Sequence, residues 1–152
     1  MPATSASSAR ASAVPSAPFL ARRPVWQVSY LSGLAASVVV EAWGLAARAA
    51  GVPMRAAGLG AHHATPVTVG MFAMGTMVVI FWFTFAVSLI ARFAMNPERA
   101  YVAAALPLLA LSLVVPLTAA DTATSTKLVL AAAHLIAGAI IIPIVAQRLR
   151  MR

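Results

Sequence analysis

Four apolar stretches, each long enough to cross a lipid bilayer, constrain this chain more than any other feature. They lie at about Trp26–Ala49, Val67–Ala91, Ala100–Thr118 and Thr124–Ala146. A spanning helix needs about 20 predominantly apolar residues, because each residue rises about 1.5 Å and the hydrocarbon core is about 30 Å thick. The sequence therefore predicts an all-α integral membrane four-helix bundle over residues 25–147, with no room beside it for a soluble catalytic domain.

The composition narrows the chemistry further. Hydrophobic residues make up 62% of the chain and charged residues 9%. The chain has no cysteine, which excludes disulfides and thiolate metal or redox chemistry. The net charge of +8 comes from basic residues at the ends of the spans, where they contact anionic headgroups and set topology. We therefore expect the lipid bilayer, and not nucleic acid, as the partner of these charges.

The basic residues also predict an orientation. More of them precede the first span, separate the second from the third and follow the fourth than lie on the other side, so the positive-inside rule places both termini in the cytoplasm. Residues 1–24 are predicted to be a disordered cytoplasmic tail and residues 148–152 a basic cytoplasmic end. A signal peptide is the alternative to an uncleaved first helix, because Ala47-Arg48-Ala49 resembles a small-residue cleavage site. An Ala- and Arg-rich chain is typical of a high-GC bacterium and its inner membrane.

Proline positions suggest where helices begin. Thr65-Pro66 and Asn96-Pro97 each read as an N-cap followed by a first helical residue, for the second and third helices. The loop at residues 50–65 could lie on the surface or re-enter the bundle. The short breaks after helices two and three predict that helices two and three, and three and four, are antiparallel neighbours.

Glu41 is the most informative polar residue, because a carboxylate near the centre of a span costs about 2.5–3.5 kcal/mol and must be compensated. Its helix face also carries Arg48 and small residues that allow another helix to approach closely. The residues that we expect to pack helices together in this way are Gly33, Ser37, Gly44, Ala131 and Gly138.

His134 lies near the middle of the fourth span, at a depth that differs from that of Glu41 by only about 5 Å. A hydrogen bond between the two side chains is feasible. Glu41, His134 and Arg48 are therefore the candidate intramembrane polar site. Such a site could accept protons or a ligand, or it could be an interhelical polar clamp.

Cofactor sites have little support in the sequence. His62-His63 lacks the further ligands that a metal needs, and His134 is the one histidine within the spans, so a haem held by two histidines would need an oligomer. We therefore expect no metal and no other cofactor. The Met- and aromatic-rich second helix could pack against lipid and other helices or line a quinone or lipid groove.

The second half of the chain carries a family resemblance. Leu111-Ser112-Leu113-Val114-Val115-Pro116-Leu117, a Thr- and Ala-rich turn, Ala131-Ala132-Ala133-His134-Leu135 and Ile142-Pro143 follow one another before a basic end. In this order the chain resembles a family of small actinobacterial four-helix membrane proteins of unknown function. The resemblance covers about residues 25–150 and implies a fold but no activity.

These features favour a non-enzymatic small membrane protein, namely a structural, accessory or regulatory subunit that binds a membrane-protein partner or a second copy through faces such as Gly33–Ser37 and Ala137–Gly138. The alternative is a proton-linked small transporter or channel that uses Glu41 and His134 and acts as a homo-oligomer.

Overall fold

A computed structural model of the protein describes residues 19–58 and 60–151. Four α-helices dominate it: α1 at Val25–Ala49, α2 at Met71–Phe93, α3 at Pro97–Thr118 and α4 at Thr124–Arg150. Each is long and apolar enough to cross a membrane, which confirms the predicted all-α membrane bundle. A short 3-10 helix at Phe19–Arg22 precedes α1. The rest of the predicted disordered tail, residues 1–18, lies outside the described residues.

The connection between α1 and α2 is a small β-hairpin. Strand β1 at Arg55–Ala56 pairs antiparallel with β2 at Thr65–Pro66, and the register sets Arg55 opposite Pro66. The prediction that Thr65-Pro66 begins the second helix is therefore wrong. Strand pairing and a hydrogen bond from the Val67 N–H to the Met54 carbonyl (2.8 Å) hold this segment extended, so the helix starts only at Met71.

The third helix begins where the sequence predicts. Pro97 is its first residue, at a position where the missing N–H of proline costs nothing. Asn96 occupies the N-cap position, but its side chain makes no capping hydrogen bond.

Helix α1 is the central element of the bundle. It packs against both α2 and α4, and α4 packs in turn against α3. Buried residues make up 39% of the most apolar window of α1, against 11–17% in the other helices. The helices therefore form an arc in the order α2, α1, α4, α3.

The arc leaves α2 and α3 only loosely in contact, although the chain joins them by a short connection. The predicted neighbours α3 and α4 do pack closely, but α2 and α3 meet mainly near the end that carries both chain termini. There the rings of Phe83 and Tyr101 lie 5.7 Å apart, edge to face. Towards the hairpin end the two helices leave space between them.

Two apolar clusters hold the bundle together. One, at the terminal end, joins all four helices through Val25, Val87, Tyr101, Val145 and Leu149 among others. The second, nearer the hairpin, joins α1, α2 and α4 and the loop residue Met54. Since α3 contributes no buried residue to the second cluster, the space beside α3 is left unfilled.

Close helix approach depends on three glycines. A Cβ atom at Gly33 would lie 2.4 Å from the Ile80 Cγ1, and one at Gly138 would lie 2.6 Å from a Leu109 methyl carbon. At Gly44 the ring of Phe72 would be 2.9 Å away. The small-residue faces predicted as packing surfaces thus receive large side chains from within the same chain.

We predict that Gly33→Leu lowers the free energy of unfolding by about 1–3 kcal/mol, because the new side chain overlaps Ile80 and forces α1 and α2 apart. Thermal unfolding in detergent, followed by circular dichroism, measures this. Gly75→Ala is the matched control, since a Cβ there meets nothing within 4 Å. Equal stability of the two variants would show that α1 and α2 do not meet at Gly33.

Candidate functional site

Glu41 caps the start of a neighbouring helix. Its Oε1 accepts a hydrogen bond from the Gly70 N–H (2.7 Å) and its Oε2 accepts one from the Ala73 N–H (3.1 Å). The first N–H groups of a helix have no partner within that helix, and its N-terminus carries a partial positive charge. Gly70, at φ +89°, has no side chain that could act as a local cap. The carboxylate of Glu41 therefore binds the backbone at the start of α2.

Arg48 and Arg55 stabilise the hairpin. Arg48 Nη2 donates to the carbonyl of Val67, and Arg55 Nη2 donates to the carbonyl of Ala64 at 2.8 Å. Arg48 Nε is buried and has no hydrogen-bond partner among the described residues. Both guanidinium groups thus bind loop carbonyls.

The hairpin is also tied to the turn between α3 and α4. Asp121 Oδ2 accepts from the Ala64 N–H, and Thr122 Oγ1 accepts from the Ala57 N–H, both at 3.0 Å. The hairpin therefore covers the end of the bundle and bridges the α2 side to the α3 side.

His134 has a different environment from Glu41. Its Nδ1 lies 2.8 Å from the carbonyl oxygen of Leu130, one turn earlier in α4. The three side chains of the candidate polar site, Glu41, His134 and Arg48, therefore do not bind one another. Each forms a hydrogen bond with a different part of the backbone, and the structure shows none between Glu41 and His134. What His134 does line is a cleft.

This cleft is mostly apolar and has a volume of about 620 Å³. Helix α2 forms one wall from Met71 to Phe83, and α3 forms the other from Ala105 to Ser112. The floor is α4 from Leu130 to Ile142, together with Val40 of α1. Ala56 and Val67 of the hairpin segment close one end.

The cleft opens sideways. The terminal-end cluster closes one end of the cleft, and the hairpin closes the other end. Between them, wall residues such as Val79 and Leu108 are 65% and 52% exposed. Both residues lie on helices that are long and apolar enough to cross a membrane. Three polar side chains lie along the otherwise apolar lining: Thr76, Ser112 and His134.

Ligand sites of this kind are typically concave, 300–1,000 Å³ in volume and mostly apolar, with a few polar groups. The lateral cleft fits that description. By contrast, His62 and His63 are exposed on the hairpin loop, and no group of three or more potential metal ligands occurs within residues 19–58 and 60–151.

Comparison with protein families agrees with this architecture. A family model matches residues 20–151, a range that contains all four helices. The chain belongs to DUF6069, a family of unknown function. This DUF6069 protein matches no curated protein and no solved structure. Membership therefore supports a multi-pass membrane protein and assigns it no activity.

Two structural contacts of this DUF6069 protein, made by Asp121 and Glu41, were not predicted from the sequence. The sequence pattern alone does not indicate that Asp121 binds the hairpin or that Glu41 caps α2. A usable signal existed: the chain has only three acidic residues, and in the structure each carboxylate has a partner. Glu98, the third, accepts from Arg150 Nε at 3.0 Å. The lack of a capping side chain before Met71 was a second signal.

We predict that Glu41→Leu and His134→Leu reduce stability independently. Each removes a hydrogen-bonding group with its own backbone partner, so the two losses should add to within about 0.5 kcal/mol. Glu41→Leu should cost more, about 1.5–3 kcal/mol, since it removes hydrogen bonds to a charged group. A double-mutant cycle of thermal unfolding in detergent measures both. A coupling energy above about 1 kcal/mol would show that the side chains interact.

Proposed function

We propose that this protein is a non-enzymatic membrane protein, an accessory or regulatory subunit, and that its functional element is the lateral cleft. The cleft holds an apolar ligand drawn from the bilayer. The observation that carries this proposal is a space of about 620 Å³ that opens towards hydrocarbon and is closed at both ends. An empty apolar space of this size would leave its walls without contacts, so lipid must fill it.

The dimensions suit a chain-like ligand. The floor from Leu130 to Ile142 extends about 18 Å along α4. An extended hydrocarbon chain can lie along this apolar floor.

The arrangement gives less support to the proton-linked transporter. Such a mechanism needs a carboxylate that exchanges protons between two sides, whereas both oxygens of Glu41 accept backbone hydrogen bonds that hold α2 in place. The docking faces favoured by the sequence have also lost support. Ile80 occupies the surface at Gly33, and Leu109 occupies the surface at Gly138.

The cellular setting is part of the proposal. The family resemblance and the Ala- and Arg-rich composition support an actinobacterial cell membrane, and the distribution of basic residues supports termini in the cytoplasm.

We predict that a phosphatase reporter fused after Arg152 is inactive and that one inserted at Gly58 is active. Activity of the C-terminal fusion would reverse the orientation.

We predict that Gly75→Leu empties the cleft of its ligand without unfolding the protein. Gly75 lines the cleft, and a Cβ there meets nothing within 4 Å, so the added side chain takes up ligand volume. Lipid extraction and mass spectrometry of purified protein should find less co-purified chain-bearing lipid than in the wild type.

The matched control is Val78→Leu on the same helix, at a position that is 57% exposed and outside the cleft. It should retain the wild-type amount of bound lipid. Loss of lipid from both variants, or from neither, would remove the cleft from the proposed function.

A further inference from the structure

We infer that the ligand of the lateral cleft is a lipid whose apolar chain carries a hydroxyl group, and that His134 accepts the hydrogen bond from this hydroxyl. The inference rests on the proposed function and specifies the chemistry of the ligand. It starts from the hydrogen bonds that the polar side chains of the cleft already make.

The first step concerns the tautomer of His134. A backbone carbonyl can only accept, so the contact of 2.8 Å between Nδ1 and the Leu130 oxygen requires the proton on Nδ1. In the neutral imidazole the other nitrogen, Nε2, is then an acceptor. No hydrogen bond to Nε2 occurs among the described residues. Nε2 is also not one of the fully buried side-chain atoms that lack a partner. His134 therefore has an unused acceptor, and it is one of the residues that line the cleft.

The remaining polar side chains of the cleft show the same preference. Thr76 donates its hydroxyl proton to the Phe72 carbonyl (2.8 Å), and Ser112 donates to the Leu109 carbonyl (2.7 Å). Their donors are used within their own helices, and only lone pairs remain. The side chains of the cleft thus offer acceptors and no free donor, so a ligand that donates is favoured over one that only accepts.

Depth in the membrane limits the rest of the ligand. His134 is ten residues from the start of α4 at Thr124, which corresponds to about 15 Å. A charged headgroup at this depth would be costly, whereas a single hydroxyl with a hydrogen-bond partner is tolerated. The ligand is therefore a neutral lipid with one weakly polar end, such as a prenyl alcohol or a quinol.

The chemistry predicts discrimination between close analogues. A prenyl alcohol donates to Nε2, but its methyl ether, with the same chain, cannot. A quinol donates in the same way, and the corresponding quinone cannot. A hydrogen bond of ordinary net strength corresponds to an affinity ratio of about five- to tenfold within each pair.

The test uses full-length protein purified in detergent and stripped of lipid. Geranylgeraniol, its methyl ether, and a prenyl quinol and its quinone are titrated separately, and the rise in melting temperature gives each affinity. The wild type should bind the alcohol more tightly than the ether and the quinol more tightly than the quinone. Whichever donor binds more tightly identifies the source of the ligand.

Two variants locate the acceptor. His134→Phe keeps an aromatic ring in the cleft and should bind alcohol and ether equally, with the ether unaffected. Val78→Leu, at an exposed position outside the cleft, is the control and should retain the wild-type ratio. In ¹⁵N spectra of histidine-labelled protein, His134 should show the Nδ1–H tautomer, and its Nε2 signal should shift with the alcohol and the quinol but not with the ether or the quinone.

The outcomes separate the two proposals. If the wild type binds none of the four probes, the proposed lipid-binding function fails. If it binds alcohol and ether equally, or if His134→Phe keeps the preference, the cleft binds lipid chains but His134 is not the acceptor, and only this inference is overturned.

Discussion

The backbone N–H groups that start α2 have no partner within that helix, so they need acceptors from elsewhere. Glu41 of α1 supplies the missing acceptors, with one carboxylate oxygen on the Gly70 N–H and the other on the Ala73 N–H. The charge that is expensive inside a membrane and the helix end that needs an acceptor thus compensate one another. This contact fixes where α2 begins and how it lies against α1, and the wall of the cleft depends on both.

The other two acidic side chains also have hydrogen-bond partners. Asp121 binds the hairpin backbone, and Glu98 binds Arg150 where α3 and α4 meet at the terminal end. Each carboxylate therefore joins two segments that are distant in sequence. With the acidic groups committed to structure, the polar chemistry left facing the cleft is that of one imidazole and two hydroxyls. Such a set of neutral groups suits recognition of a membrane-soluble molecule better than acid–base chemistry.

The sequence was sufficient to predict the four helices, because span length and hydropathy depend only on local composition. It also located the glycines that let helices approach, since small residues recur on one face of α1. It could not predict the order of the helices in the arc. That order depends on whether Ile80 of the same chain or a side chain of another protein packs against Gly33. It also misplaced the start of α2, because the pairing of Thr65 with Ala56 involves residues brought together only by the hairpin. His134 was identified as a notable residue, but its partner was not, since a helix carbonyl one turn away competes with any residue on another helix.

The hairpin and the terminal-end cluster close the two ends of the cleft, and the gap between α2 and α3 leaves only its side open. In the proposed lipid-binding function, a molecule reaches His134 from the membrane in which it is already dissolved. Occupancy then follows the mole fraction of that molecule in the leaflet and not its concentration in water. A lipid that is present in small total amount in the cell can still saturate the cleft if it is concentrated in this membrane. Dilution of the aqueous cell contents would leave the bound fraction unchanged.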